Sequence, residues 1–261
     1  MSRRTTPAPT RPDPRLFVNS IEKGMAVLEL FETARQDLSL TDIVARTDLG
    51  RSAAQRFVHT LHELGYLSRD PATRRYSLGP KVLGLYRGYV GGRSMLQLVR
   101  PALAQLGQQT REAVAWVELL EKEIIVVDSL ASPHLTSVTL APGMRFEAIS
   151  SSSGQVLLAH ASEAAVELAW AAATPSARER TGARDVAGYA RLLERVRRDG
   201  FALTEKAFDQ DSLSISAPAL DVQHRAIGAI NLSTLRARFD VEEAKAKLVP
   251  AIMEAARGVC P

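Results

Sequence analysis

The sequence has little cysteine and no long apolar run. Its one cysteine, Cys260, lies next to the last residue, which excludes a disulfide framework within the chain and fits a reducing compartment. No apolar run approaches the ~18 residues that a membrane span needs. Residues 1–16 are Pro-rich and polar, with arginines but no apolar core behind them, which is typical of a disordered tail and not of a secretory signal. We expect a cytoplasmic protein with no membrane partner.

Patterns typical of metal sites and of hydrolases are missing as well. No Cys/His group has the spacing of metal ligands; the five histidines are His59, His62, His134, His160 and His224. Ser153 precedes Gly154, but no glycine stands two residues before Ser153, and His160 has no evident acidic partner. We expect neither a metal, nor a cofactor, nor an enzymatic activity; a hydrolase is the alternative from the enzyme class.

What the sequence does have is a large apolar fraction and an uneven distribution of charge. Apolar residues make up 46% of the 261 residues, which is enough for the cores of one large or two modest domains. Residues 1–92 hold 14 Lys and Arg against 9 Asp and Glu, whereas residues 93–261 hold 19 against 20. The positive excess favours a polyanion as the partner of the first third.

The first third has the element order of a winged helix-turn-helix domain. Ser39 and Asp42 have the spacing of a capping box at the start of the second helix, and Gly65 is placed to end the third. The turn "DPAT" separates two short strand-like segments. The spacing predicts helices over 19–35, 40–46 and 51–64, followed by a hairpin of "YLSR" and "RYSL".

The remainder predicts a linker helix and an α+β domain. The segment "GPKVLGLYRGYV" has the pattern of a helix that Gly91 and Gly92 interrupt. Beyond it, strands mixed with helices indicate a mostly antiparallel sheet: strands at "AVAWVEL", "EIIVVDSL", "LTSVTL", "DSLSISAPAL" and "AIGAINLS", and helices over 94–110, around "YARLLERVRRDG" and over 241–258. We expect a tail over 1–16, a DNA-binding domain over 17–79, a linker helix over 80–92 and a second domain over 93–261.

The third helix presents a polar face that suits double-stranded DNA. A helix fits the major groove, where Arg reads guanine and Gln reads adenine through paired hydrogen bonds. The helix start and the wing suit phosphates instead. The proposed contacts are Arg51, Ser52, Gln55, Arg56 and His59 on the helix, with His62 on the same outer face, and Arg74 and Arg75 in the wing. The alternative is an ordinary amphipathic helix with a solvated face.

Several segments resemble the isocitrate lyase regulator (IclR) family of bacterial transcription factors. They are "SIEKGMAVLELF", "LSLTDIVARTDLGRSAAQRFVHTLHELGYL", "RYSLGPKVLGLYRGYV", "APGMRFEAISSSSGQVLLA", "GFALTEKAFDQDSLSISAPAL" and "GAINLS". The segment "VLGLYRGYV" is similar to the subgroup that controls protocatechuate and hydroxybenzoate catabolism. The resemblance implies a winged helix-turn-helix domain, a linker helix and a GAF-like effector-binding domain. It also implies a homodimer or tetramer that binds a palindromic operator and responds to a small organic acid.

The serine run "SSSSGQVLL" marks the candidate effector site. Hydroxyls at a helix start accept from free N–H groups, and such N–H groups favour an anion, so Ser152, Ser153, Gly154 and Gln155 are expected to hold a carboxylate. The resemblance adds further pocket positions, namely Leu135 and Val138 on a preceding strand, and Ser214, Asn231 and Ser233.

The sequence departs from the family pattern at three places near this site. Gln155 replaces a common Lys or Arg, Thr204 replaces an acidic residue, and Asp211 replaces a glycine. These changes affect the identity of the effector and not the fold. Two alternatives stay open: the serines only cap a helix, or the second domain only assembles the protein and binds no ligand.

Overall fold

The computed structural model describes residues 13, 15–32, 36–92, 94–205 and 211–259. The chain divides into two compact units, Met1–Gly92 and Arg93–Pro261. The tail predicted over 1–16 falls mainly outside the described residues. Within the described part, no helix is both long enough and apolar enough to cross a membrane.

The first unit is a winged helix-turn-helix domain followed by one more helix, as predicted. Its strands pair antiparallel, and four residues separate its second and third helices. The capping box of Ser39 and Asp42 is present. The elements are α1 (Asn19–Glu29), α2 (Leu40–Arg46), α3 (Arg51–Glu63), β1 (Leu67–Arg69), β2 (Tyr76–Leu78) and α4 (Val82–Gly91).

The extension of the first helix to residue 35 was wrong for the described residues. The helix ends at Glu29, and the N–H of Phe31 donates to Leu28 in a tighter turn. That turn buries Phe31 in the core beside Val27, Ile43 and Val58. Phe31, which the sequence pattern assigned to a longer helix, therefore enters the core from a turn. Residues 33–35 lie outside the described part.

The second unit is built on one six-stranded sheet in which every pairing is antiparallel, in the order β5-β4-β3-β8-β7-β6. The strands are β3 (Ala113–Leu120), β4 (Glu123–Leu130), β5 (Arg145–Glu147), β6 (Ala202–Glu205), β7 (Ser212–Leu220) and β8 (Ala226–Leu235). The helices are α5 (Ser94–Thr110), α6 (Ser152–Leu158), α7 (Glu163–Ala172), α8 (Pro175–Thr181), α9 (Val186–Asp199) and α10 (Val241–Arg257). The mostly antiparallel α+β fold is confirmed.

The two faces of this sheet carry different chemistry. Side chains alternate between faces along a strand, so the row Ile215–Leu232–Val114 lies opposite to the row through Ser214 and Ser233. The apolar face packs under α5 and α10, where Gly107 approaches Val114. The other face packs under α6 and carries the polar row. The strands therefore bring distant serines together beneath α6.

The strand predicted at "LTSVTL" was wrong. Residues 131–140 form no helix or strand. Their carbonyls are bonded by side chains instead: Arg238 donates to the carbonyl of Thr136, and Ser129 donates to that of Leu140. On the side of β4 away from β3, the pairing strand is β5, which follows Gly143 and was not predicted.

Candidate functional site

The predicted DNA-reading residues all lie exposed on α3. This helix buries Ala54 and Val58 against the domain core. The opposite face exposes Arg51, Ser52, Gln55, Arg56 and His59. Since Ala54, Phe57, Val58 and Leu61 follow the i, i+3, i+4, i+7 spacing of one helix face and pack on the core, the polar side chains are left on the opposite face.

The first turn of α3 is open to an anion. Its N-cap is Gly50, which offers no side chain to accept from the N–H groups of the first turn. By contrast, Ser39 caps α2 in the same domain. Free N–H groups at a helix start, next to Arg51 and Ser52, are a geometry that accepts a phosphate.

The two wing arginines have different surroundings. Arg74 is exposed at the tip of the hairpin with φ of 57°. Arg75 is half-buried; its Nε donates to the carbonyl of Asp37 at 2.8 Å and its Nη2 to Asp42 at 3.0 Å. Hydrogen bonds from Ser39, and secondarily the charge of Arg75, hold the pKa of Asp42 below its ordinary value. Arg75 therefore ties the wing to α2, whereas Arg74 extends from the domain.

One residue expected on the outer face of α3 is used inside the domain. His62 is half-buried, and its Nδ1 lies 3.1 Å from the carbonyl oxygen of Leu67 in β1. It links α3 to the hairpin. His59 stays exposed, 4.0 Å from Glu63 one turn further along.

The serine run opens α6, after a short 3₁₀ turn over Ala148–Ser150. Capping is done by Ser151, whose hydroxyl accepts from the N–H of Gly154 at 3.1 Å. The carbonyl of Ser151 accepts from the N–H of Gln155 at 2.9 Å. The N–H groups of Gly154 and Gln155, which were expected to hold a carboxylate, are therefore bonded within the chain. The Gln155 side chain donates to the carbonyl of Ile149.

The structure brings together five of the predicted effector residues and one that was missed. Ser152 lies 2.9 Å from Ser214 and 2.8 Å from Ser216, and Ser153 lies 2.9 Å from Ser216. Every side chain in this group is at most 1% exposed. We call the group the serine–asparagine cluster; its members are Ser152, Ser153, Ser214, Ser216, Asn231 and Ser233.

Asn231 is the centre of the serine–asparagine cluster. Its Nδ2 lies 2.7 Å from the Ser214 hydroxyl and 3.0 Å from that of Ser216, with the hydroxyls of Ser153 and Ser152 at 3.3 and 3.5 Å. Its Oδ1 accepts from Ser233 at 2.9 Å. One carboxamide thus links hydroxyls from α6, β7 and β8.

Ser216 was missed, although a signal for it was present. In "SLSIS" the serines recur at every second position, and that period puts Ser212, Ser214 and Ser216 on one face of a strand. Thr204 lies on the same face, since it pairs with Ser214 across β6 and β7. Its hydroxyl is buried and has no hydrogen-bond partner among the described residues.

The two apolar positions taken from the resemblance separate in the structure. Val138 is buried in the same core as α6, whereas Leu135 is fully exposed. Neither lies on a strand. The expectation that both form one apolar wall was wrong for Leu135, because the segment makes an irregular excursion that turns this side chain to solvent.

Gly154 fixes the position of α6 against the preceding turn. A Cβ there would lie 2.0 Å from the carbonyl oxygen of Ala148 and 2.4 Å from its Cα. We expect Gly154→Ala to lower the free energy of unfolding by about 1–3 kcal/mol through overpacking, measured by urea denaturation. Gly84→Ala in α4 is the control, because its Cβ would meet nothing within 4 Å. Equal stability of the two variants would contradict this close packing.

Within the described residues, Ser153 and His160 have separate surroundings. The Ser153 hydroxyl bonds to Ser216 and Asn231, whereas Nδ1 of His160 is buried with no partner among the described residues. Burial, and secondarily the charge of Arg197, lower the pKa of His160. In the part of the chain that the structure describes, no three His, Cys, Asp or Glu side chains converge as metal ligands.

Two family models match the two units. The IclR helix-turn-helix domain matches residues 20–71, and the model of the bacterial transcriptional regulator IclR C-terminal domain matches residues 87–261. The chain belongs to the IclR family of bacterial transcriptional regulators. The family that the sequence resembles is thereby confirmed.

Similar proteins cover nearly the whole chain. A Pca regulon regulatory protein of Pseudomonas putida is 29% identical over 94% of this chain and 84% of its own length. A p-hydroxybenzoate hydroxylase transcriptional activator of Acinetobacter baylyi is 27% identical over 82% of this chain and 80% of its own length. An IclR homologue of Microbacterium hydrocarbonoxydans, solved in complex with 4-hydroxybenzoate, has a TM-score of 0.75 and 25% identity over 92% of this chain and 97% of that one. The likeness to the protocatechuate and hydroxybenzoate subgroup is confirmed.

Proposed function

We propose that this IclR-family regulator binds a double-stranded operator and controls the catabolism of a small aromatic or other carboxylic acid. The observation that carries the DNA-binding part is the exposed polar stripe of α3 together with its uncapped start. The relatives that regulate Pca and p-hydroxybenzoate genes support the metabolic part. We further propose that the protein acts in the cytoplasm, where bacterial operator DNA lies, and that it is not an enzyme.

The function that we propose for each segment follows the expected domain boundaries. Residues 17–79 bind DNA, residues 80–92 link, and residues 93–261 bind the effector. We test operator binding by gel shift with a duplex from the region upstream of the gene for this chain, with and without 4-hydroxybenzoate. Binding that is no tighter than to a scrambled duplex would contradict the proposal.

The wing arginines give a prediction that separates contact from positioning. Each phosphate contact contributes about 0.9 to the slope of log Kobs against log salt concentration. Arg74→Ala is expected to lower that slope by about this amount. Arg75→Ala is expected to weaken binding with little change of slope, because its guanidinium is held by Asp42 and not by phosphate. The measurement is a salt titration of a random 30-base-pair duplex.

Asp42→Asn is the matched variant for this pair. If Arg75 positions the wing, Asp42→Asn weakens binding with the same unchanged slope as Arg75→Ala. A slope that falls for Arg75→Ala as much as for Arg74→Ala would instead make Arg75 a direct phosphate contact, as its sequence position first indicated.

The proposed effector site is the underside of α6 and the sheet beneath it. It comprises Val138, Ser152, Ser153, Gly154, Gln155, Ser214, Asn231 and Ser233. The serine–asparagine cluster supports it, because six buried polar side chains are more than the helix needs for capping, which Ser151 alone performs. The IclR homologue solved with 4-hydroxybenzoate supports an aromatic acid.

A thermal-shift panel separates effector binding from the assembly-only alternative. A ligand that binds the folded state at 100 times its Kd adds about 2.7 kcal/mol of stability. We expect at least one acid from a panel of aromatic and dicarboxylic acids to raise the melting temperature. No shift with any acid would favour a second domain that only assembles the protein.

We also propose that the chain acts as a homodimer or tetramer. Apolar side chains of α4 stand exposed, with Leu83 at 64% and Leu85 at 59%, and no residue of this helix is buried. Exposed apolar surface of this kind marks protein contacts. We expect Leu83→Glu with Leu85→Glu to lower the mass measured by sedimentation, with Leu168→Glu on α7, a leucine 44% exposed outside α4, as the control. An unchanged mass would place the contact elsewhere.

A further inference from the structure

The end of α3 and the start of α4 meet in one small contact within the first unit. The N–H of Gly79, which precedes α4, donates to the carbonyl of Tyr66, which follows α3, at 2.7 Å. Gly79 is buried, and a Cβ there would lie 2.3 Å from the carbonyl oxygen of Gly65. The two backbones are therefore as close as glycine allows, which leaves little room for one helix end to move against the other.

Lys81 connects the same two helix ends through its side chain. Its Nζ donates to the carbonyl of Leu64 at 2.9 Å and lies 4.9 Å from the centre of the Tyr66 ring. A cation suits the last turn of a helix, where carbonyls lack partners and the dipole is negative, and an aromatic face attracts it as well. One ammonium group thus holds the start of α4 against the end of α3. We call these residues the α3–α4 joint: Leu64, Gly65, Tyr66, Gly79 and Lys81.

The α3–α4 joint continues into α4 without a loose connector. Pro80 has a fixed φ, and the N–H groups of Val82 and Leu83 donate to the carbonyls of Gly79 and Pro80 at 3.3 and 3.1 Å. Beyond the joint, no residue of α4 is buried. The direction of α4 relative to α3 is therefore set at the joint and not by burial of side chains along α4.

The direction of α4 has a consequence for DNA if two copies associate through this helix. A twofold dimer presents two α3 helices, and the spacing of the two operator half-sites follows from the distance and angle between them. One inserted base pair moves a half-site by about 3.4 Å and turns it by about 35°. A fixed angle between α3 and α4 makes that displacement costly, whereas a loose angle absorbs it.

We propose that the α3–α4 joint sets the half-site spacing that this protein accepts, and that Lys81 is a positioning residue that narrows the range of accepted spacings. The proposal rests on the proposed function, namely operator binding by α3 and self-association through α4. It adds a determinant of operator specificity that lies outside the DNA-reading face of α3.

The test measures how operator affinity depends on half-site spacing. The probes are the upstream duplex, with its half-sites located by footprinting, and versions with one or two base pairs inserted or deleted between them. Each is titrated with the full-length chain by fluorescence anisotropy. Because one paired base contact corresponds to about 5-fold to 150-fold in affinity, the wild type is expected to lose about fivefold or more on each altered duplex.

Replacing Lys81 separates positioning from the other roles of a cation. Lys81→Met keeps most of the stem and removes the ammonium, so its loss on the duplexes altered by one base pair is expected to be only about twofold, since the looser joint preserves base contacts. Lys81→Arg keeps a cation and is expected to retain the spacing profile of the wild type. Lys122→Met is the control, because it removes an exposed charge from the turn between β3 and β4 in the second unit.

Gly79→Ala tests the backbone contact of the joint. Its Cβ must push the two helix ends apart, so the spacing of highest affinity is expected to change. Melting curves show whether this variant folds; if it does not, the Lys81 variants decide. An unchanged optimum in folded Gly79→Ala would overturn the role of the joint.

The spacing profile of Lys81→Met is decisive. A profile that matches the wild type would overturn the proposal. An equal weakening on every duplex, with a salt slope lower by about 0.9, would also overturn it and make Lys81 a phosphate contact. If the wild type binds no duplex of the series, or sediments as a monomer, the proposed function itself is contradicted.

Discussion

Replacing Arg238 by alanine is expected to lower the free energy of unfolding of the second unit by about 3–5 kcal/mol. The Arg238 guanidinium contacts both carboxylate oxygens of Glu112 at 2.6 Å, and the Glu112 side chain is 0% exposed. The hydrogen bonds that Arg238 donates to Glu112 raise the pKa of Arg238 above its ordinary value. Without the guanidinium, the Glu112 carboxylate is left buried and unpaired. An uncompensated buried charge of this kind is strongly destabilising.

The measurement is urea denaturation followed by tryptophan fluorescence. Both tryptophans of the chain, Trp116 and Trp170, lie in the second unit, so the signal reports on that unit. Arg225→Ala is the control, because its partner Asp221 is bonded at the surface where Arg225 is 73% exposed, and such pairs contribute about 0–1 kcal/mol. A double variant, Arg238→Met with Glu112→Leu, should recover most of the loss. Equal losses of unfolding free energy in Arg238→Ala and Arg225→Ala would contradict the claim that the buried Arg238–Glu112 ion pair matters more than a surface pair.

The Arg238→Ala variant also has a local consequence next to the proposed effector site. Arg238 donates to the carbonyl of Thr136 and so fixes the irregular segment 131–140. Amide exchange in that segment is expected to quicken in the variant, beyond what global destabilisation gives. This links the ion pair to the position of Val138, the one predicted apolar residue of the site that is buried.

The sequence predicted the parts of the fold that local chemistry determines. Ser39 and Asp42 begin α2 because a hydroxyl and a carboxylate three residues apart satisfy each other's backbone N–H groups. Gly65, with φ of 81°, ends α3 in the left-handed conformation that favours glycine. Apolar periodicity placed Ala54 and Val58 inside, and with them the outward stripe of α3.

What the sequence did not predict depends on partners far along the chain. Glu112 and Arg238 are 126 residues apart, and no local sequence pattern indicates that they pair. "LTSVTL" has the alternation of a strand but no neighbour in the sheet, because β5 occupies the edge beside β4. Arg75 is as cationic as Arg74 in the sequence, and only the position of Asp42 assigns it to the domain.

The proposed effector site also combines features that local sequence predicted with features that depend on distant contacts. The N-cap role of the serine run followed from residue type, yet Ser151 performs it and frees Ser152 and Ser153 to face the sheet. That separation depends on how α6 lies across β7 and β8, and this is set by Gly154 against Ala148. The serine–asparagine cluster is therefore a tertiary feature built from two local signals, a serine run and an alternating "SLSIS".

Replacing both Gln55 and Arg56 by alanine is expected to abolish discrimination between operator and unrelated DNA. Both side chains are exposed in the second turn of α3, where a helix in the major groove meets base edges. Each paired contact to a base contributes about 1–3 kcal/mol. The double variant should therefore lose about 30-fold to 10⁴-fold in operator affinity, measured by fluorescence anisotropy at fixed salt concentration.

The salt dependence of the double variant decides what was lost. Arg56→Ala removes one charge, so the slope of log Kobs against log salt is expected to fall by at most about 0.9. Affinity for a random duplex is expected to change little, because the proposed phosphate contacts of Arg51, Ser52 and Arg74 are left in place. Arg195→Ala on α9 removes an exposed charge from the second unit and is the control. If operator affinity of the double variant stays within about twofold of wild type, α3 does not read the operator, and the exposed stripe is only a solvated helix face.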